Sequence, residues 1–287
     1  MSLPIIHVEA ETIAEAWEQS LVSLWNGGAD IKTEYDSPKD PPSRDATMIM
    51  VVRNPFAEPR IHLGFPGGME DLEKYRQEVV DGIHDGWINP AEGKWTYTYH
   101  DRLFNYHLPG ESKTVDQMAC LVDKLSDAPH TRRAQAITWI PACDPGTYDP
   151  PCLQRVWCRV YEEEGSFLLA MNTHWRSRDA YRAAYMNLFG ITELQKTLAE
   201  RISAKTGKKI GVGRYVDIAD SYHIYGESFA DFQERFLSSM EKRSFHDPDR
   251  TKSRTMRSDD PAVQEGFAYG RILLEKERSS GVKGATV

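Results

Sequence analysis

The spacing of apolar and polar residues predicts helices and strands interleaved along the whole chain. Apolar positions at helical spacing predict helices, at residues 8–26, 69–84, 115–125, 177–204, 228–242 and 261–277. Short apolar or alternating runs predict strands, at residues 48–52, 134–140, 154–162, 167–174 and 210–218. The acidic turn Glu162–Gly165 is typical of a hairpin, and Ser177 begins its helix with an ordinary capping sequence. Prolines predict a loop over residues 36–45, and residues 86–112 are rich in loops.

Composition and charge place the chain among ordinary globular proteins and exclude a general nucleic-acid binder. The 287 residues are 40% hydrophobic and 27% charged, with a formal charge of -8. Local arginine clusters still allow a small anionic substrate. The sequence has no internal repeat, low-complexity tract or clear linker, so we predict one α+β domain over residues 1–287 with a mixed sheet flanked by helices.

The spacing of the cysteines does not indicate a zinc site, and we expect the cysteines to be reduced. Cys120, Cys143, Cys152 and Cys158 form no C-x-x-C pair and have no histidine at zinc-ligand spacing, so we expect no metal. The chain shows no signal peptide and no long apolar run. We therefore expect a reduced, cytoplasmic location.

Cys152 is the strongest candidate nucleophile. Pro150 and Pro151 stiffen the backbone before it, and a strand-like alternation begins immediately after it. A thiol held by a rigid turn at the mouth of a strand is already positioned for attack. A single cysteine is more often a small buried hydrophobic residue, so its surroundings decide between the two interpretations.

Several short motifs stand in a fixed order around Cys152. They are Arg132-Arg133 followed by Trp139, Pro151-Cys152, Arg176-Ser177-x-Asp179 followed by Asn187, and His223-Ile224-Tyr225, with Gly93–Arg102 and Asp116-Gln117 upstream. In this order and spacing the chain resembles the thymidylate synthase family over roughly residues 40–240. Helix 8–26 and helices 228–277 are additions to that region.

The resemblance implies a thymidylate-synthase-like fold, a sheet-to-sheet homodimer and folate-dependent chemistry. Carbon 5 of a pyrimidine becomes nucleophilic when a thiolate adds to carbon 6, and Cys152 would make that bond. Carbon 5 would then take up the one-carbon unit of 5,10-methylenetetrahydrofolate. The product would carry a methyl group after hydride transfer, or a hydroxymethyl group after reaction with water.

Roles for the other motif residues also follow from the resemblance. Arg176 and Ser177 would hold the nucleotide phosphate, and Arg176 would help to keep Cys152 ionised. Arg132 and Arg133 would reach the phosphate from the partner subunit.

The resemblance implies further contacts around the base, the sugar and the folate. The residues are Arg44 as a fourth phosphate arginine, Asn187 at the base, His223 and Tyr225 at a sugar hydroxyl, Asp179 and Trp87 at the folate, and Tyr99 in proton transfer. A glutamate would organise water near the base, with Glu78 as first choice and Glu73 as second. Without the resemblance, Ser177, Asp179 and Tyr99 would be interpreted as caps or packed polar groups.

Four departures from the common family pattern point toward a divergent branch. Leu153 follows the catalytic cysteine where many synthases have His, and Trp175 replaces the usual Gln. Residues 181–186 lack the usual Gly-x-Pro-Phe run, and the terminal Gly-Ala-Thr-Val287 differs from the family's closing tail, which argues against hydride transfer. The pattern is closer to the cytidylate hydroxymethylases of nucleoside-antibiotic pathways.

These observations leave alternative functions open. The first is folate-dependent hydroxymethylation of CMP or dCMP, and the second is a divergent thymidylate synthase acting on dUMP. Asn187 does not choose between them, because an amide can pair with uracil or, when flipped, with cytosine. A catalytically silent nucleotide-binding homologue and an unrelated cysteine hydrolase are the remaining alternatives.

Overall fold

Capping residues in the sequence mark where the first two helices begin or end. The computed structural model describes residues 2–92 and 94–281, so Gly93 and the terminal Gly-Ala-Thr-Val287 stretch lie outside the described residues. Thr12 caps the first helix by accepting from the backbone N–H of Glu15, and Gly82 ends the second in the left-handed conformation with φ 65°. The α-helices are α1 Ile13–Gly27, α2 Met69–Asp81, α3 Tyr99–Phe104, α4 Gln117–Asp127, α5 Ala184–Thr206, α6 Phe229–Asp231, α7 Ser238–Lys242 and α8 Pro261–Ser280, and the π-helical segment Phe232–Leu237 joins α6 to α7.

A mixed sheet forms the centre of the fold. Its strands are β1 Ile5–Ala10, β2 Ala29–Ile31, β3 Ser43–Val52, β5 Gln135–Ile137, β6 Leu153–Glu163, β7 Ser166–Trp175, β8 Arg178–Asp179 and β9 Ile210–Ile224. The order across the sheet is β1-β3-β9-β7-β6-β5, with β2 against β3 and β8 against β9. Two short strands, β4 Ile61–His62 and β10 Thr255–Met256, pair separately. The predicted α+β class with a mixed sheet flanked by helices is confirmed.

Helices α1 and α5 pack on the sheet, α2 packs on α5, and α8 packs on α2. Trp17 of α1 is fully buried, and its indole N–H donates to the carbonyl of Ala180 at 2.8 Å. This bond fixes the first helix to the chain segment that precedes α5. None of the helices among the described residues is both long and apolar enough to cross a lipid bilayer.

The hairpin prediction is confirmed, whereas several element boundaries were wrong. β6 and β7 pair antiparallel, and the turn between them places Glu164 and Gly165 at positive φ. The predicted helix 8–26 begins only at Ile13, because residues 5–10 pair parallel with β3 as an edge strand. Strand β3 already begins at Ser43, so the predicted loop 36–45 is shorter.

The helix predicted from Ser177 begins seven residues later, at Ala184. Ser177 does not cap this helix, because the next two residues form β8, which pairs parallel with the end of β9. Strand β9 in turn continues past residue 218 to Ile224, so the His223 region is part of the sheet. The loop-rich stretch 86–112 contains the short helix α3.

Close packing of α2 on α5 depends on Gly190. A Cβ at this position would lie 2.6 Å from Cδ1 and 2.9 Å from Cε1 of Tyr75, closer than real Cβ contacts. We expect Gly190→Ala to lower the free energy of unfolding by about 1–3 kcal/mol through overpacking, although alanine ordinarily favours a helix over glycine by about 1 kcal/mol. Urea denaturation measures the change.

Glu200→Ala is the matched control, since Glu200 is exposed on the same helix. This control should leave the unfolding midpoint nearly unchanged. A Gly190→Ala protein as stable as the wild type would contradict the packing argument.

Candidate active site

Most of the predicted site residues line one cavity at the end of the sheet. It lies where β6 begins and where β7 and β9 end, and it has a volume of about 360 Å³. Its lining includes eight of the predicted residues: Tyr99, Cys152, Arg176, Ser177, Asp179, Asn187, His223 and Tyr225. Residues separated by more than a hundred positions in sequence therefore share one concave surface.

Cys152 lies immediately before β6 and is partly buried at the cavity wall. Burial, the largest effect, raises the pKa of its thiol above the ordinary value; the Arg176 charge opposes this rise and Asp149 reinforces it. The side chain of Tyr99 also acts to lower the pKa of the thiol, and its hydroxyl accepts from the backbone N–H of Leu153 at 3.3 Å. Because burial prevails, the thiol is protonated at neutral pH in this state.

Arg176 holds the turn that carries the cysteine. Its Nη2 donates to the carbonyl of Pro150 at 2.5 Å, and its Nε donates to the carbonyl of Pro151 at 3.2 Å. Its backbone N–H donates to the carbonyl of Cys152 at 2.9 Å. A guanidinium has five N–H donors, so Nη1 stays available to an anion in the cavity.

Asn187 has a partner that the sequence did not reveal. It lies near the start of α5 and is buried, and its Nδ2 donates to the hydroxyl of Tyr75 at 2.7 Å. Burial strongly raises the pKa of Tyr75, so its phenol stays neutral. The group beside this amide is therefore a neutral phenol of α2 where a glutamate was expected.

Asp179 and His223 contribute groups whose protonation is set by burial. Burial raises the pKa of Asp179 to about 6, although the backbone N–H groups of Arg182 and Tyr181 donate to its carboxylate. Burial lowers the pKa of His223 to about 4, so its imidazole is neutral at pH 7. The rings of His223 and Tyr225 meet edge to face with centroids 4.6 Å apart.

Arg178 is a residue of the site that sequence reasoning missed. It forms a buried ion pair with Asp217 of β9, and its Nη2 donates to the carbonyl of Ala184 at 2.9 Å. Its guanidinium carbon lies 4.3 Å from the ring centroid of Trp175. The only sequence signal was its position inside the Arg-Ser-x-Asp motif.

Other predicted residues do not line this cavity. Arg44 on β3 donates to Asp30 at 2.7 Å and to the carbonyl of Trp25 at 2.5 Å, so its side chain is held elsewhere. Arg132 and Arg133 are exposed just before β5. Trp87 is partly buried and lines neither this cavity nor the one beside it.

Neither candidate glutamate lines the Cys152 cavity. Glu73 is buried and accepts hydrogen bonds from Arg76 and Gln77. Glu78 lies 2.8 Å from Nδ1 of His84, whose Nε2 lies 3.2 Å from Glu277. Tyr75 of α2 is the residue that bonds Asn187. Glu78, three residues further on, shares the face of Tyr75, but its carboxylate bonds His84, whereas Glu73 lies on another face of the helix.

A second cavity of about 490 Å³ adjoins the first. The two share Tyr97, Tyr99, Tyr148 and Asp149, and the second is also lined by Trp95 and Glu78. Its aromatic walls suit a flat heterocycle. In the part of the chain that the structure describes, no group of three or more His, Cys, Asp and Glu side chains is placed to hold a metal ion.

Comparisons with known proteins agree on one family. The family model described as thymidylate synthase matches residues 51–259. A protein of Methanosarcina mazei named "Putative thymidylate synthase" is 30% identical over 218 residues, covering 76% of this chain and 88% of that protein. A relative of the same name from Methanocaldococcus jannaschii is 26% identical over 235 residues, covering 80% of this chain and 95% of that protein.

The fold is also similar to a solved structure. Thermostable thymidylate synthase A from Bacillus subtilis superimposes with a TM-score of 0.57 at 20% sequence identity. The match covers 83% of this chain and 87% of that one. At this level of identity the match establishes a shared fold.

Opposing charges around Cys152 predict how its reactivity depends on pH. We expect alkylation of Cys152 by iodoacetamide to rise only above the pH at which an ordinary thiol ionises. Arg176→Gln should move the midpoint of this profile to higher pH, and Asp149→Asn should move it to lower pH. Peptide mass spectrometry reports the rate for each cysteine separately.

Glu162→Gln is the matched control, because it removes a negative charge about 30 Å along β6 from Cys152. Its profile should coincide with that of the wild type. A shift to lower pH for Arg176→Gln together with a shift to higher pH for Asp149→Asn, or no shift in either variant, would show that these charges do not act on the thiol as proposed.

Proposed function

The chain belongs to the thymidylate synthase family, and from this premise we propose that it transfers a one-carbon unit from 5,10-methylenetetrahydrofolate to carbon 5 of a pyrimidine nucleoside 5′-monophosphate. The observation that carries the proposal is the single cavity shared by Cys152, Arg176, Asp179, Asn187 and His223. A thiol, a phosphate-binding arginine, a base-binding amide and a sugar-binding imidazole are the groups that this substrate requires.

In the proposed reaction, Cys152 is the nucleophile. Its thiolate bonds to carbon 6, the carbon 5–carbon 6 π bond opens, and the electron pair moves onto carbon 5. Because burial keeps the free thiol protonated, a base must remove its proton when the substrate binds. The Tyr99 hydroxyl beside the sulfur then stabilises the thiolate by donating a hydrogen bond.

The other cavity residues bind and orient the nucleotide in this proposal. Asn187 pairs with the base, and Arg176 with Ser177 holds the phosphate. His223 and Tyr225 contact the sugar. Each of these polar groups reaches the same cavity, so one nucleotide could contact them together.

The adjoining cavity fits the folate. Methylenetetrahydrofolate supplies the one-carbon unit when bound, and its pterin would lie against Trp95 and Tyr97 beside the shared wall. Asp179 lines the Cys152 cavity, so its buried carboxyl would bind the pterin amines where the folate extends into that cavity. Trp87 keeps its predicted folate role without support from either cavity.

For the product, we propose hydroxymethylation of CMP or dCMP. Two departures from the common family pattern, Leu153 and Trp175, are fully buried, and Trp175 forms part of the cavity wall. Side chains packed at such positions reshape the site, which supports a substrate or product different from that of ordinary synthases. Methylation of dUMP is the second candidate, and the names of the relatives favour it.

The product identifies the reaction. We expect purified protein with methylenetetrahydrofolate to convert CMP or dCMP to the 5-hydroxymethyl nucleotide with release of tetrahydrofolate, measured by mass spectrometry. A 5-methyl product from dUMP together with dihydrofolate would instead establish the synthase.

Cys152→Ala should abolish either reaction, whereas Cys120→Ala, which removes an exposed cysteine outside the cavity, should retain it. If Cys152→Ala left nucleotide binding intact and the wild type turned over no nucleotide, the chain would be a silent binding homologue.

We also propose a homodimer formed through the sheets. Val51 pairs with Val216, and Ile49 pairs with Ile218, across strands β3 and β9. These apolar side chains lie on the face of the sheet opposite the core and are only partly buried. A second sheet packed on these rows would cover them. Arg132 and Arg133, exposed and outside their own cavity, would then bind phosphate in the partner's site.

Mixed dimers test the shared site. We expect Cys152→Ser protein and Arg132→Ala/Arg133→Ala protein to be nearly inactive alone, and to regain activity when unfolded and refolded together. Random pairing makes half of the dimers mixed, each with one intact site, so about a quarter of wild-type activity should return. Mixing each variant with itself is the control, and no recovery in a confirmed mixed dimer would contradict the sharing of arginines.

A further inference from the structure

His223 has one nitrogen that bonds to protein and one that does not. Its Nδ1 lies 3.2 Å from the hydroxyl oxygen of Ser221. Its Nε2 is fully buried and has no hydrogen-bond partner among the described residues, and the ring lines the Cys152 cavity. A buried polar atom without a protein partner costs free energy unless a ligand satisfies it.

Asp45 accepts the hydrogen bond that the Ser221 hydroxyl donates. Strands β3 and β9 pair so that Asp45 lies opposite His223, and Ser221 is two residues before His223 on the same strand. The Ser221 hydroxyl donates to Oδ2 of Asp45 at 2.6 Å. A serine hydroxyl has one proton, so toward Nδ1 its oxygen can only accept.

We propose that Asp45 and Ser221 are positioning residues that hold the proton of His223 on Nδ1 and so make Nε2 a hydrogen-bond acceptor for a donor hydroxyl on the nucleotide sugar. A neutral imidazole has one N–H and one lone pair, so fixing the proton on one nitrogen determines the other. The inference rests on the proposed function for the identity of the ligand. The proton position itself is a property of the free protein.

The consequence is a chemical requirement on the substrate. A sugar hydroxyl facing Nε2 must donate its proton, whereas an ether oxygen or a hydrogen atom in its place leaves the lone pair unsatisfied. Loss of one neutral hydrogen bond of about 0.5–1.5 kcal/mol corresponds to affinity weaker by about 2- to 12-fold. The requirement disfavours sugars that are methylated at that oxygen.

Nuclear magnetic resonance on the full chain tests the proton position. Long-range ¹H–¹⁵N spectra of histidine-labelled protein, assigned with His223→Asn, should show Nδ1 of His223 protonated and Nε2 unprotonated at pH 7. Ser221→Ala removes the acceptor at Nδ1 and should populate the Nε2–H tautomer. Ser221→Thr keeps the hydroxyl and should keep the wild-type signature.

Nucleotide analogues test the consequence. CMP should bind about 2- to 12-fold tighter than its 2′- or 3′-deoxy and O-methyl analogues at the position that faces His223. The preference for hydroxyl over methyl ether should shrink in Ser221→Ala and return in Ser221→Thr. Titration calorimetry gives these ratios, and kcat would change less than KM.

The outcomes separate the inference from the proposed function. A wild-type spectrum with the proton on Nε2 would overturn the inference, because Asp45 would then hold a proton and Ser221 would donate to His223. A spectrum with Nδ1–H but equal affinity for all analogues would overturn the sugar contact. Absence of nucleotide binding by a protein with the expected tautomer would contradict the proposed function alone.

Discussion

The buried ion pair between Arg178 and Asp217 holds the walls of the cavity together. Arg178 lies on β8 beneath Trp175 of β7, pairs with Asp217 of β9, and donates to the carbonyl of Ala184 where α5 begins. The hydroxyl of Tyr215 donates to the same carboxylate at 2.7 Å. Removing one member of such a pair leaves a buried charge and costs about 3–5 kcal/mol. Asn187 lies on α5, His223 lies on β9, and Arg176 lies two residues before Arg178. The relative positions of these three groups therefore depend on the ion pair.

Burial and nearby positive charge have opposite effects on the pKa of the Cys152 thiol, and the effect of burial is the larger. Arg176 lowers the pKa of Cys152, yet its donors are directed toward the carbonyls of Pro150 and Pro151, so much of its contribution is to fix the turn. The protein therefore does not store a thiolate in advance. In the proposed reaction, the thiol would lose its proton to a base only when a pyrimidine has bound.

The sequence predicted the elements that show a regular spacing of apolar residues within one segment. It also predicted the site residues that stand together in short motifs. The hairpin of β6 and β7 was found because alternation and turn residues coincide, and the cavity residues were found because their motifs are contiguous. Residues 5–10 were assigned partly to a helix because parallel pairing of an edge strand leaves no local signal. Tyr75 was missed because its bond to Asn187 joins residues 112 apart on different helices. The contact of Glu78 with His84, which also reaches Glu277, was likewise not predicted, because it depends on residues far apart in the chain.

Two of the motif residues, Asn187 and His223, each bond a neighbour outside the motifs named in the sequence analysis. Tyr75 holds the amide of Asn187, and Ser221 faces Nδ1 of His223. An amide and an imidazole can each bond in opposite senses, so the residue type alone does not state what they recognise. At His223 the Ser221 hydroxyl, whose single proton goes to Asp45, removes that ambiguity. The Tyr75 hydroxyl can donate or accept, so it positions the Asn187 amide without fixing its sense. Two chains with the same motifs but different partners would therefore present different hydrogen-bonding patterns to a nucleotide. We therefore expect substrate choice by this chain to depend on residues behind the cavity wall, such as Ser221, as well as on those that line it.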